Sequence, residues 1–255
     1  MRRFKKRLPA ELTDRVIDHL HTDKLALANC SLVCRTWLPA SRYHFFQTNI
    51  RLTDRNIHSF VELLNSPTST FFEHELNVEI FPERFDKPQG VNCIFDTILH
   101  HLFRLKIKSL RLVCVRWDIE DEILEEVFKY FATISSLDLL DVKFSVRDQF
   151  IKFITSFLSL ETWSLRSINF GTDDFTQITS FTLPSLLRTV DLTLRYPDPS
   201  IIWFLSAVRF PPLECLYLSN IVRGDVGAIL AVLQSLGPSL HRLYLGFSDP
   251  GAFIS

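Results

Sequence analysis

Ile134-Ser-Ser-Leu137-Asp-Leu139 is the stretch that decides the fold, because variants of it occur six times in step. One copy precedes it, Ile107-Lys-Ser-Leu110-Arg-Leu112. Four follow: Leu160-Glu-Thr-Trp163-Ser-Leu165, Leu187-Arg-Thr-Val190-Asp-Leu192, Leu213-Glu-Cys-Leu216-Tyr-Leu218 and Leu240-His-Arg-Leu243-Tyr-Leu245. Their first positions are separated by 27, 26, 27, 26 and 27 residues. Alternation of apolar and polar residues within each copy is the mark of a strand with one buried face. Apolar residues at helical spacing lie ahead of the strands, as in Ile94-Ile98-Leu102, Ile123-Val127-Phe131, Phe150-Phe153-Ile154-Phe157, Ile201-Phe204-Leu205 and Val226-Ile229-Leu230-Leu233. A strand alternating with a helix at a fixed period predicts an α/β chain: a parallel sheet with helices on one face, where no unit closes its own core.

A seventh, degenerate unit is expected first, with a helix near Ile57 to Leu64 and a strand at Leu76-Val78-Ile80. Leu76 to Leu110 spans 34 residues, so about seven extra residues are expected in a loop around Pro82 to Gly90. The period and the Leu-x-x-Leu-x-Leu core resemble leucine-rich repeats over roughly residues 55 to 247. That resemblance implies a curved solenoid whose exposed strand positions bind partners. One departure stands out. The third position after the second strand leucine, Asn or Cys in the family, holds Val115, Val142, Ile168, Arg195, Ile221 and Ser248. Less regular turns are expected there. Strand alternation buries Leu110, Leu112, Leu137, Leu139, Leu165, Leu192, Leu218 and Leu245. It turns Arg111, Asp138, Arg166, Asp191, Arg195, Tyr217 and Tyr244 outward as candidate contacts for a target protein, since Tyr and Arg are enriched at interface hot spots. Arg111, Arg166 and Arg195 together would also suit a phosphate.

Ahead of the repeats, LPAELTDRVIDHLHTDKLALANCSLVCRTW (8–37) reads as short helices. Pro9 and Glu11 suit a first turn. Leu12, Val16, Ile17 and Leu20 recur at helical spacing, and His21-Thr22-Asp23 supplies an N-cap for a second helix carrying Leu25, Leu27, Leu32 and Val33. A third helix is expected after Pro39. Three short helices cannot bury this much apolar surface among themselves. Leu8, Pro9, Glu11, Leu12, Ile17, Leu20, Leu25, Val33, Cys34, Arg35 and Trp37 match the F-box pattern, with a two-residue lengthening around Thr22 to Lys24. The resemblance to that family implies docking on a Skp-family adaptor of a cullin-RING ubiquitin ligase through Leu8, Pro9, Leu12, Ile17, Leu20, Leu25, Val33, Cys34 and Trp37. It also implies that the repeats, of the kind that accompany F-boxes, hold a target protein.

The expected organisation is a basic flank (1–7), an F-box (8–50) and an array of six to seven repeats (51–255). A rival expectation is a scaffold whose first helices only cap the array, with Leu20, Val33 and Trp37 packed inward near Ile57 and Leu64. Hydrophobic residues make up 47% of the chain, which argues for a packed core. A net charge of −1 argues against generic nucleic-acid binding, although Arg2, Arg3, Lys5, Lys6 and Arg7 crowd one end. Five scattered cysteines without a C-x-x-C pair read as free thiols of a reducing compartment, the cytoplasm or nucleus. The basic start lacks the apolar run of a signal peptide, and no stretch reads as a membrane span. No catalytic motif, cofactor site or metal-ligand spacing is found, so a non-catalytic binding protein is expected.

Overall fold

The computed structural model describes residues 9–46, 49–67, 69, 71–73, 75–82, 94, 97–98, 101, 104–117, 130–171, 180–193, 204–205 and 207–247. Three helices come first: α1 (Ala10–His19), α2 (Lys24–Val33) and α3 (Leu38–Phe46). Among the described residues eleven strands follow, with three α-helices between them. The strands are β1 (Ile50–Leu52), β2 (Glu75–Ile80), β3 (Lys106–Val113), β4 (Arg116–Trp117), β5 (Ser136–Phe144), β6 (Thr162–Phe170), β7 (Phe181–Thr182), β8 (Thr189–Thr193), β9 (Val208–Arg209), β10 (Cys215–Ile221) and β11 (Arg242–Phe247). Between them lie α4 (Ile57–Asn65), α5 (Arg147–Thr155) and α6 (Val226–Leu236).

The main sheet runs β1-β2-β3-β5-β6-β8-β10-β11 with all pairs parallel, so order in space follows order in the chain. A parallel pair needs a crossover between its strands, and the described crossing helices α4, α5 and α6 pack their buried residues into the sheet's core. Strand leucines meet Phe150, Phe153 and Ile154 of α5 and Ile229, Val232 and Leu236 of α6 in one continuous core. Its centre is aromatic. Phe153 sits 4.6 Å from Trp117 and 4.9 Å from Phe157, both edge-on, the geometry favoured by ring quadrupoles. This core begins at Leu52; Ile17, Leu27 and Cys30 are buried apart from it, within the first three helices.

The strand leucines fall where alternation puts them, with one exception: Leu245 is 41% exposed. It lies on β11, which has a strand on one side only among the described residues. Two further differences concern the first units. Ile50–Leu52, at the expected end of the helical region, forms an edge strand pairing with Val78–Ile80. Val78, not Leu76, stands opposite Leu110, after an irregularity between Leu76 and Asn77. The excess over a 27-residue step is therefore five residues, not seven.

At four of the six positions the backbone is regular, contrary to expectation, once between β3 and β4 and three times inside β5, β6 and β10; Arg195 and Ser248 lie outside the described residues. Cys114, Asp141, Ser167 and Asn220 all adopt left-handed backbone, with φ of 53°, 55°, 63° and 60°. Each lies two residues after its second strand leucine. The twist returns the next residue, Val115, Val142, Ile168 or Ile221, to the core, where it is buried. Backbone groups then bond unit to unit: Cys114 N–H donates to the Leu140 carbonyl and Lys143 N–H to the Val115 carbonyl, both at 2.8 Å. An apolar residue in place of Asn is thus served by the backbone itself. Left-handed backbone costs a non-glycine residue roughly 1–2 kcal/mol, least for Asn and Asp.

Candidate functional site

The first candidate is built on α1 and α2. Asp23 caps α2 by accepting a hydrogen bond from the Ala26 N–H at 2.9 Å, which sets the rotation of the helix relative to the chain entering it. That rotation turns Leu27 and Cys30 inward and Leu25, Leu32 and Val33 outward, the last three at 74%, 84% and 61% exposure. On α1, Ile17 is buried while Leu12 and Val16, one turn apart, remain exposed. His44 of α3 and Asp18 of α1 meet at 2.7 Å and join those two helices.

The residues implied by the F-box resemblance therefore divide. Pro9, Leu12, Leu25, Val33 and Cys34 are exposed, Leu20 and Trp37 half-buried, and Leu8 lies outside the described residues. Ile17 is fully enclosed and offers no contact surface; its role is to hold the helices together. Val16 and Leu32 are as exposed as the matched positions and were missing from that set. The signal for Leu32 was its place seven residues after Leu25, two turns along the same helix face. Inward packing of Val33, as a capping role requires, is not observed.

The second candidate is the sheet face opposite the core. Strand register aligns Arg51, Glu79, Arg111, Asp138, Ser164, Asp191, Tyr217 and Tyr244 in one row across eight strands. Arg51 Nε lies 3.1 Å from Glu79 Oε1, and Arg111 bridges Glu79 at 3.7 Å and Asp138 at 3.2 Å. Arg166, one position further along β6, reaches Asp138 Oδ2 at 2.8 Å. These pairs are half-buried at the sheet surface, where an ion pair of this kind contributes on the order of 1 kcal/mol or less. Burial pushes the Asp191 carboxyl up from its ordinary range; Arg166 opposes that shift and Asp138 adds to it. Tyr217 and Tyr244 stack with ring centres 4.4 Å apart and planes within 3°. The face thus has a charge-balanced half and an aromatic half. Arg111 and Arg166 are held by carboxylates, so the cluster of cations suited to a phosphate is not formed by them, and Arg195 lies outside the described residues.

Burial, and then the neighbouring Asp141 carboxylate, push the Cys114 thiol up, away from thiolate. Among the described residues no three His, Cys, Asp or Glu side chains gather where they could hold a metal ion. No described helix is long and apolar enough to cross a membrane. Compared with known protein families and with curated proteins, the chain matches none.

Proposed function

We propose that residues 8–50 are an F-box, that the strand and helix units beyond are a leucine-rich-repeat solenoid, and that the chain is the substrate-recognition subunit of a Skp-cullin-F-box ubiquitin ligase. The observation that carries this reading is the apolar face of α2. Leu25, Leu32 and Val33 are exposed together in the stretch that matches the F-box pattern. Burying one such side chain is worth about 1.5–3 kcal/mol, so a face of this kind favours a partner. Adaptor contact then falls to Pro9, Leu12, Val16, Leu25, Leu32, Val33 and Cys34, with Ile17 supporting them from inside.

On this reading the row from Arg51 to Tyr244 holds the target protein. Tyr217 and Tyr244 are the anchors and the paired charges set register, as buried aromatics and rim charges do at interfaces. The chain supplies proximity between target lysines and a cullin-bound conjugating enzyme, and no bond-making residue of its own. Its working place is the cytoplasm or nucleus, where such ligases act. A scaffold capped by the first helices has less support, because capping calls for Val33 inside.

The test is binding of the full chain to a purified Skp-family adaptor, with Leu25→Asp/Leu32→Asp as the variant. Complex formation lost in the variant, with its circular dichroism unchanged, is the expected result. Equal binding by both would overturn the interface, and no binding by either would overturn the function.

A further inference from the structure

The row on the sheet face changes character between β8 and β10. Register places Asp191 of β8 beside Tyr217 of β10, and Tyr217 beside Tyr244 of β11. The two rings are parallel to within 3° with centres 4.4 Å apart, close to the strand spacing of about 4.8 Å, so the stack runs across the strands. Tyr244 covers one face of Tyr217, and the other face is turned toward β8. Among the described residues no second ring and no cation lies over that other face. Beside it stand Asp191 and, one strand further, Ser164, both much shorter than tyrosine. The ring is therefore the wall of a step, with a carboxylate at its foot. That carboxylate differs from the other two in the row. Arginine bridges Glu79 at 3.1 Å and Asp138 at 2.8 Å, whereas Asp191 has no hydrogen bond or ion pair among the described residues. Arg166 acts on Asp191 from a distance but gives its hydrogen bond to Asp138. Burial still withdraws water from Asp191 and pushes its carboxyl up. A half-buried carboxylate without a donor, beside the open face of an aromatic ring, suits a flat cation.

We propose that this step receives an arginine side chain of the target protein, its guanidinium stacked on Tyr217 and hydrogen-bonded to Asp191. The inference rests on the sheet face being the target-binding surface, and it names the chemistry recognised there. Arginine suits the place better than lysine. A planar guanidinium stacks on a ring and presents paired N–H groups at its edge to a carboxylate, whereas an ammonium is a compact, strongly hydrated point charge. Arg242, the cation that acts on Tyr217 from within the chain, is on β11, on the side of the stack that Tyr244 covers, and leaves the other side to the guest.

The probe is the peptide acetyl-Gly-Arg-Gly-amide, titrated into the full chain carrying ring-labelled tyrosine, with the citrulline and lysine peptides as controls. The chain has five tyrosines, so the NMR ring signals are few, and that of Tyr217 is the one missing from Tyr217→Leu. A saturable shift of the Tyr217 signal is expected with the arginine peptide. Binding should be roughly tenfold or more weaker for the citrulline peptide, the scale of one lost charge-assisted contact, and weaker for lysine. Asp191→Asn should weaken arginine binding to a similar degree while the free variant melts at an equal or higher temperature, which separates a lost contact from a damaged fold. No saturable shift in the folded chain, equal affinity for arginine and citrulline, or undiminished binding by Asp191→Asn would overturn the site; equal affinity for lysine would overturn the choice of arginine. Adaptor binding by the same preparation keeps the two readings apart. Arginine binding absent with adaptor binding present overturns this site alone, whereas arginine binding without adaptor binding upholds the site and overturns the ligase function.

Discussion

The first three helices and the strand array use the same kinds of residue to opposite ends. In the array, strand leucines and helix phenylalanines close on one another from Leu52 to Leu236 as a single core. In α1 to α3 the enclosed apolar side chains are few, Ile17, Leu27 and Cys30, while Leu25 and Leu32 stay more exposed than not. A surplus of exposed leucine beside a closed core is informative, because leucine scattered singly on a surface is ordinary whereas several on one helix face are not. The core of the array closes from Leu52 to Leu236 and opens only at β11, where Leu243 and Leu245 are each 41% exposed; on the proposed reading the helices are completed by a partner.

The contrast can be broken at either end. The largest expected effect is in the array. Phe153→Ala empties the middle of the aromatic cluster and should cost about 3–5 kcal/mol, read as a lowered midpoint in urea unfolding of the full chain. Next comes the recurrent turn. Asp141→Val places a β-branched residue at φ 55° and removes the acceptor that Ser167 Oγ reaches at 3.2 Å. A loss of about 1–2 kcal/mol is expected, against little change for Asp141→Gly, which tolerates that backbone. Leu32→Asp, on the open helix face, should leave stability within about 0.5 kcal/mol; a loss on the scale of Phe153→Ala would mean that the face is closed in solution.

The smallest effect is pH-dependent. Because the folded Asp191 takes up its proton at higher pH than an unfolded one, the folded state binds the extra proton between the two pKa values. Stability contributed by this group is present below the ordinary 3.8 and is lost as pH rises through the folded value. Asp191→Asn should therefore gain slightly at neutral pH and show no gain under strongly acidic conditions, measured as unfolding midpoints across pH.

Much of the fold was legible because the strand pattern recurs at a nearly constant step, and only a parallel array answers such a step. What escaped has physical reasons. Ile50-Arg51-Leu52 is too short for alternation to declare a strand, and its pairing with Val78 is a long-range fact. The register at Leu110 depends on a local irregularity after Leu76, which no spacing reports. The left-handed turns do leave a trace, since Cys114, Asp141, Ser167 and Asn220 each precede Val or Ile at the repeat period. Cys and Ser are poor markers of that backbone, so the trace is faint. At the candidate site, Leu25 and Val33 were legible as surplus apolar residues. Ile17 was not separable from Leu12, because a stripe on a short helix does not say which of its flanks turns inward.

The central claim is that the outer face of α2 is a docking surface and the sheet face a second, independent one. It is tested most directly by isothermal titration of a Skp-family adaptor into the full chain and two variants, Leu25→Asp/Leu32→Asp and Tyr217→Ala/Tyr244→Ala. One adaptor per chain is predicted for the unaltered protein and for the tyrosine variant, and none for the leucine variant. No binding to the unaltered chain, or binding that survives loss of both leucines, would contradict it.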